Sequence, residues 1–107
     1  MKNIDCTLYC ITNSDGMSEE AFLSKVKGAC EGGVTLVQLR EKDRSTLSYY
    51  ELACKVKKIT DTYQIPLIID DRIDVAMAVG CGVHLGAEDM PISVARDIMG
   101  KDAVIGA

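Results

Sequence analysis

The sequence contains no apolar run long enough to cross a membrane, no C-x-x-C pair of cysteines, and no low-complexity segment or linker. A membrane-spanning helix needs about 18 or more consecutive apolar residues, and residues 1–5 lack the apolar stretch of a secretory signal. The five cysteines are odd in number and have neither zinc-site nor disulfide-framework spacing, so we interpret all five as small, buried hydrophobic residues. Together these absences predict a protein of the reducing cytoplasm.

The chain also lacks an excess of positive charge. Its formal net charge is −4, which repels nucleic acid and anionic membranes at long range and argues against both as partners. A small anion held by a local cluster of basic side chains is compatible with this balance. With 107 residues, 48% of them hydrophobic and 26% charged, the chain has the composition of one globular domain, which we assign to residues 1–107.

Short β-rich runs alternate along the chain with longer segments of helical periodicity. We predict strands at residues 6–12, 34–39, 66–69, 82–85 and 103–106. Helices are expected to begin, in chain order, at Ser18, between Ser45 and Ser48, at Arg72 and at Pro91. For the second helix, Ser48 and Glu51 fit a capping box, and Ser45 is the alternative cap. Alternating strands and helices predict right-handed crossovers and a parallel sheet.

Two architectures share this alternation, an open doubly wound sheet and a closed (β/α)₈ barrel of the TIM type. The repeating unit is short and polar residues gather directly after several strands, which favours the barrel, because its sites form at the carboxyl ends of the strands. A complete barrel usually needs about 200 residues or more. The expected fold class is therefore α/β, a partial TIM barrel of four βα units plus a fifth strand.

The first group of candidate residues follows the second predicted strand, in the stretch Gln38-Leu39-Arg40-Glu41-Lys42. Because side chains alternate along a strand, Gln38, Arg40 and Lys42 project to one side if the extended geometry continues. Two cations and one amide on one side can bind a polyanion, with the amide orienting the ligand. The alternative is a solvated charged loop in which Arg40 pairs with Glu41.

Acidic residues follow the next two strands. Asp70 and Asp71 follow the third strand, and Asp89 follows the fourth. The alternative role for each is to cap the next helix. Successive parallel strands are neighbours, however, so these carboxylates and the two cations should meet above the sheet. Such a mixed-sign site suits Mg²⁺ together with a di- or triphosphate group.

His84 is the single histidine and lies inside the apolar fourth strand. A lone imidazole there is more often a packed, hydrogen-bonded core residue than a base, although near the end of the strand it could also contact substrate. Met77, Met90 and Met99 are expected to fill the core.

Five segments, in order and in register, resemble the thiamine phosphate synthase family, also called thiamine-phosphate pyrophosphorylase. They are LYCIT at 8–12, GGVTLVQLREKD at 32–43, PLIIDDRIDVAMAV at 66–79, GVHLGAEDMP at 82–91 and VIGA at 104–107. The resemblance implies a transferase that joins hydroxymethylpyrimidine pyrophosphate to hydroxyethylthiazole phosphate, giving thiamine phosphate and pyrophosphate. A related thiazole tautomerase branch shares the same barrel and is the alternative activity.

The resemblance also implies roles for individual residues. Gln38, Arg40 and Lys42 match the motif that holds the pyrimidine pyrophosphate, and Arg40 and Lys42 are the catalytic candidates because they absorb the charge of the leaving group. Asp71 and Asp89 match the two Mg²⁺ ligands, which makes Mg²⁺ the expected cofactor. Asp70 stands where the family usually has Asn, a contact to the pyrimidine. His84, from its own position near the end of the strand and not from the resemblance, is the remaining candidate for a substrate contact.

The family continues beyond Ala107, through the remaining strands of the barrel. Four βα units leave two strand edges and one sheet face without a partner, and such edges favour pairing. We therefore expect a homo-oligomer or a complex with a C-terminal half, and a non-catalytic half-barrel is the alternative function.

We expect the 107-residue chain alone to show no synthase turnover, because the resemblance assigns the thiazole-phosphate site to the segment beyond Ala107. Steady-state assays with both substrates and Mg²⁺ measure this directly. Robust turnover by the isolated chain would refute the expectation.

Overall fold

Five short strands and four helices alternate along the chain in the computed structural model, which describes residues 4–107. The strands are β1 (Tyr9–Thr12), β2 (Leu36–Leu39), β3 (Leu67–Asp70), β4 (Gly82–His84) and β5 (Ile105–Gly106). The helices are α1 (Glu19–Glu31), α2 (Thr46–Thr62), α3 (Ile73–Val79) and α4 (Ile92–Met99). All strands are parallel and lie side by side in chain order. Right-handed crossovers between adjacent strands place all four helices on one face, as in a TIM barrel.

Serine side chains set the starts of the two longest helices. Ser18 Oγ accepts a hydrogen bond from the backbone N–H of Ala21 at 3.1 Å, and Ser45 Oγ accepts one from the N–H of Ser48 at 3.1 Å. Each bond satisfies one of the backbone donors that a helix start leaves unpaired. The capping box at Ser48 is therefore the wrong alternative, because Ser48 already lies inside the first turn.

The hydrophobic core lies between the sheet and the helices. Alternate strand residues point into it, among them Val37, Leu39, Leu67, Ile69 and Val83. The helices contribute buried side chains of similar size, including Phe22, Val26, Leu52, Val56 and Ala76. A contiguous apolar layer of this kind supplies most of the free energy that holds the helices on the sheet.

Two expectations about the core are wrong. Of the five cysteines only Cys30 is buried, Cys6 is exposed, and the other three are half-buried. Cys6 lies outside the strand because β1 begins at Tyr9, later than expected. Met77 and Met90 are exposed, and only Met99 packs against the core.

The opposite face of the sheet has no helix over it within residues 4–107. Its exposed apolar side chains come from β1, where Tyr9 is 37% and Ile11 59% accessible. The two edge strands are β1 and β5, as expected for the first part of a barrel. Within the same residues, no helix is both long and apolar enough to cross a membrane.

Gly82 provides a test of this packing. A Cβ at Gly82 would lie 2.7 Å from Ile68 Cδ1 and 2.8 Å from the backbone oxygen of Val104, whereas a Cβ at Gly28 in α1 would meet nothing within 4 Å. We expect Gly82→Ala to lower the free energy of unfolding by about 1–3 kcal/mol and Gly28→Ala to raise it by about 1 kcal/mol. Urea denaturation of both variants measures the two changes. A loss at Gly28 equal to that at Gly82 would contradict the packing argument.

Candidate active site

The polar residues singled out in the sequence line one cleft at the carboxyl ends of the strands. The cleft has a volume of about 420 Å³, and its walls include Gln38, Arg40, Lys42, Asp70, Asp71, His84 and Asp89. A larger groove of about 1080 Å³ lies at the amino ends of β2–β5 and includes none of these residues. The smaller cleft is the candidate site, because the carboxyl ends of parallel strands are where barrels carry their chemistry.

The end of β2 directs a neutral and a charged side chain into the cleft. Gln38 is buried and its Nε2 donates to the hydroxyl of Tyr9 at 2.7 Å. The backbone N–H of Arg40 donates to the carbonyl oxygen of Thr12 at 2.8 Å, so the pairing with β1 extends one step past the strand. This extended geometry keeps Arg40 on the same side as Gln38, as the alternation of side chains predicts.

Lys42 joins the ends of β2 and β3. Its Nζ lies 2.8 Å from Asp70 Oδ2 and donates a hydrogen bond to Asp71 Oδ2. The interaction with Asp70, followed by that with Asp71, raises the pKa of Lys42. Arg40 Nε approaches the same Asp70 oxygen at 3.6 Å. Two cations therefore face one buried carboxylate.

The expected alternative, in which Arg40 pairs with Glu41, is wrong. The Glu41 carboxylate turns away from the cleft and pairs with Arg44 Nε at 2.7 Å. The cations at 40 and 42 consequently share no contact with the acid that lies between them in the sequence.

Asp70 and Asp71 lie at the cleft beside the cations, as expected, but Asp70 belongs to the strand and not to the loop after it. Asp70 is the last residue of β3 and only 5% accessible, and α3 begins after Arg72 without a side-chain cap. Neither aspartate caps the helix, so that alternative is wrong. Asp71 has a φ of 70°, and the N–H of Arg72 donates to the carbonyl oxygen of Asp70 at 2.9 Å, closing a tight three-residue turn. A left-handed aspartate is a strained conformation that functional sites often retain.

Asp89 reaches the cleft from the loop after β4. Its Oδ2 accepts a hydrogen bond from the N–H of Gly86 at 2.7 Å, and the residue at the start of α4 is Pro91. The interpretation of Asp89 as a helix cap is therefore wrong.

The carboxyl groups of Asp71 and Asp89 interact directly. Burial alone would raise the pKa of Asp71, but the hydrogen bonds with Asp89 and Lys42 outweigh it and lower that pKa. The hydrogen bond with Asp71 raises the pKa of Asp89, against the lowering effect of the Gly86 N–H. Below its raised pKa, Asp89 can donate a hydrogen bond to Asp71, whereas above it two ionised carboxylates repel each other.

The Asp71–Asp89 pair fits a magnesium ion by the chemistry of its donors. A cation placed between the two carboxylates would relieve the repulsion between them when both are ionised. Within residues 4–107, no group of three or more His, Cys, Asp or Glu side chains has the arrangement of a metal site. Mg²⁺ commonly binds one or two carboxylates and completes its shell with water and substrate phosphate oxygens, so two protein ligands are sufficient.

His84 borders the cleft at the end of β4, beside Asp70. Its Nδ1 is buried, lies 3.4 Å from Asp70 Oδ1 and has no hydrogen-bond partner among residues 4–107. The expectation of a packed, hydrogen-bonded core histidine is therefore wrong. The His84 side chain is 31% accessible and lines the cleft, so its exposed part, and not Nδ1, is available to a ligand.

Sequence reasoning missed the contribution of Tyr49. The Tyr49 hydroxyl lies 2.8 Å from the carbonyl oxygen of Leu39 and 3.1 Å from that of Asp70, so it links the ends of β2 and β3. Burial is the main cause that raises the pKa of Tyr49. The available signal was its place in the buried stripe of α2, because a buried tyrosine hydroxyl usually finds a hydrogen-bond partner.

We expect Asp89→Asn to raise the melting temperature of the metal-free protein at neutral pH, because the amide can donate to Asp71. Since the pKa of Asp89 is raised in the folded state, this group stabilises the fold below its unfolded value near 3.8, and that stabilisation is lost as pH rises through the folded value. The gain should therefore shrink toward zero in acid. Thermal melts across pH in chelator measure it, with Glu88→Gln as the charge-matched control. A gain that is independent of pH would contradict the raised pKa of Asp89.

The comparisons with known proteins agree with this architecture. The family model of thiamine monophosphate synthase matches residues 8–107. Thiamine-phosphate synthases of Clostridium acetobutylicum and Methanobrevibacter smithii are 54% and 50% identical over 107 residues, which is 99% of this chain and 51% of each relative. The structure of a thiamine phosphate pyrophosphorylase from Pyrococcus furiosus matches with a TM-score of 0.85 and 40% identity, over 95% of this chain and 49% of the other. The chain thus spans about half the length of its relatives and belongs to the thiamine monophosphate synthase family.

Proposed function

We propose that this chain carries the pyrophosphate end of the active site of a thiamine phosphate synthase, a transferase of thiamine biosynthesis. Its substrates would be hydroxymethylpyrimidine pyrophosphate and hydroxyethylthiazole phosphate. The observation that carries the proposal is the contact of Lys42 with both Asp70 and Asp71, in a cleft that also contains Arg40 and Asp89. Such a site offers cations to a diphosphate and oxygen ligands to a metal.

Arg40 and Lys42 would bind the diphosphate and stabilise it as it leaves. The Arg40 guanidinium is half exposed at the rim and can form two parallel hydrogen bonds to phosphate oxygens. Lys42 adds a compact charge between the ends of β2 and β3. Negative charge grows on pyrophosphate as its bond to the pyrimidine methylene breaks, and fixed cations lower the energy of that state. The thiazole nitrogen then forms the new bond to the same methylene carbon.

Asp71 and Asp89 would hold Mg²⁺, which when bound supplies positive charge to the phosphate oxygens. The chain's own part is to present both carboxylates on one side of the cleft. Asp71 does so through its left-handed turn, and Asp89 through the hydrogen bond that it accepts from Gly86.

Gln38, Asp70 and His84 would recognise the aminopyrimidine ring. Because Gln38 Nε2 donates to Tyr9, the carbonyl oxygen of the amide is left to accept a ligand N–H. Asp70 presents acceptor atoms where the family usually has an amide, which suits an exocyclic amino group. The His84 imidazole completes the polar wall of the cleft. This arrangement favours handling of a charged diphosphate substrate over the tautomerase alternative.

The uncovered sheet face supports a partner for this half of the fold. Exposed Tyr9 and Ile11, together with the free edges of β1 and β5, would be covered by a second half-barrel, whether from a longer form of the chain, a separate chain or a second copy. We also propose that the protein works in the cytoplasm, where its unpaired cysteines stay reduced.

Calorimetry with pyrophosphate, with and without Mg²⁺, tests the proposed site. We expect Asp71→Asn to weaken the Mg²⁺-dependent affinity, and Lys42→Gln to weaken both affinities, by about tenfold or more, since each change removes a charged partner. Asparagine is chosen at 71 because it tolerates a positive φ. Lys55→Gln is the matched control, because Lys55 pairs with Glu19 outside the cleft. Equal affinities in wild type and both cleft variants would exclude the proposed site.

A further inference from the structure

A buried carboxylate lies directly behind the cleft and has no role in the proposed chemistry. Glu41 stands between Arg40 and Lys42 in the sequence, yet its side chain is only 2% accessible. One carboxylate oxygen accepts the N–H of Ser14 at 2.7 Å, and the other accepts the Ser14 hydroxyl and Arg44 Nε. The lining of the cleft does not include Glu41 or Arg44.

Arg44 is itself held by two further hydrogen bonds. Its Nη1 donates to the hydroxyl of Ser48 at 2.9 Å, and its Nη2 donates to that of Ser14 at 2.9 Å. We call Ser14, Glu41, Arg44 and Ser48 the Glu41 cluster. It joins the loop after β1, the loop after β2 and the first turn of α2, and it meets the hydrogen-bonding needs of a buried charge.

Glu41 is the acidic residue nearest in sequence to Arg40 and Lys42, and it is therefore a potential counter-ion for either of them. Without Arg44, that charge would be buried with its strongest partner gone, and pairing with Lys42 or Arg40 would become its best alternative. Each such pair would place a further carboxylate beside cations that already face Asp70 and Asp71, and would leave less of their charge for a phosphate ligand.

We propose that Arg44 is a positioning residue that holds the Glu41 carboxylate away from the cleft, so that Arg40 and Lys42 keep their charge for a phosphate ligand. The identity of the ligand rests on the proposed function, whereas the competition between Arg44 and the two cations does not. Arg44 acts through Glu41 and makes no contact with the ligand.

The test is a pair of coupled substitutions read by calorimetry with Mg²⁺ and pyrophosphate. Arg44→Gln should weaken binding by about five- to tenfold, because Glu41 then competes for a cation. The double variant Glu41→Gln/Arg44→Gln should return to within about twofold of wild type, because the competing charge is gone. If the Glu41 cluster has only a structural role, the double variant should bind pyrophosphate no more tightly than Arg44→Gln. That result would overturn the proposal.

A matched pair at the same end of the sheet controls for long-range charge. Arg72 and Asp74 form an ion pair with a 2.7 Å contact and carry the same charges. Arg72→Gln and Arg72→Gln/Asp74→Asn should both bind within about twofold of wild type at high salt, where the screening length falls to about 3 Å. If these variants reproduce the loss and recovery seen at Arg44, the effect is one of net charge and the proposal fails.

A measurement without ligand separates this proposal from the proposed function. In the ¹⁵N spectra of the side chains, Arg44→Gln should shift the Lys42 ammonium or the Arg40 guanidinium signal, and the double variant should restore it. If wild type fails to bind pyrophosphate, the proposed function fails and these spectra alone decide the role of Arg44. Unchanged spectra in Arg44→Gln would overturn the proposed role of Arg44.

If Arg44→Gln does not fold, Glu41→Gln provides the test. The Glu41→Gln variant should bind pyrophosphate about as tightly as wild type, and a loss of affinity of more than about fivefold would refute the proposal.

Discussion

The contact of one ammonium group with two adjacent carboxylates organises the carboxyl end of this sheet. Asp70 is buried at the end of β3, where an unpaired carboxylate would be costly, and Lys42 from the neighbouring strand end provides the compensating charge. The contact requires the ends of β2 and β3 to stay in register. Tyr49 contributes to this by placing its hydroxyl within reach of a carbonyl oxygen on each strand. If the ends of β2 and β3 shifted relative to each other, Lys42 would lose its contacts with the two aspartates, and the cleft would change in shape and charge.

The balance of charge in the cleft supports the proposal that it takes a metal-bound anion. Three carboxylates, from Asp70, Asp71 and Asp89, face the two cations Arg40 and Lys42. The excess negative charge collects where Asp71 meets Asp89, which is why the pKa of Asp89 is raised. A divalent cation bound there would reverse the sign of the whole cluster and make it attractive to a polyanion. The positive φ of Asp71 is energetically costly. Functional sites often retain such strain because it directs a side chain.

Sequence reasoning predicted the order of elements and the set of residues at the cleft, because both follow from adjacency in a parallel sheet. It failed where a tertiary contact decides the outcome. Asp70 extends β3 by pairing with His84, and the cations that face its buried carboxylate, Lys42 and Arg40, cannot be read from the sequence of the third strand. Glu41 looked like a partner for Arg40, but it binds Ser14 from the loop after β1 and Arg44, three residues further along its own loop. The cap of α2 was ambiguous because two serines three residues apart both satisfy the pattern, and only the position of the first turn separates them.

The cleft and the uncovered face of the sheet are parts of one surface. Strand register pairs Ile11 with Gln38, and Asp70 with His84, so all four side chains point away from the helices. Whatever covers Ile11 must therefore also close over the charged end of the same face. Closure would exclude water from the ion cluster and strengthen each of its electrostatic interactions. A segment that covers the apolar face of the sheet would consequently also enclose the charged cleft.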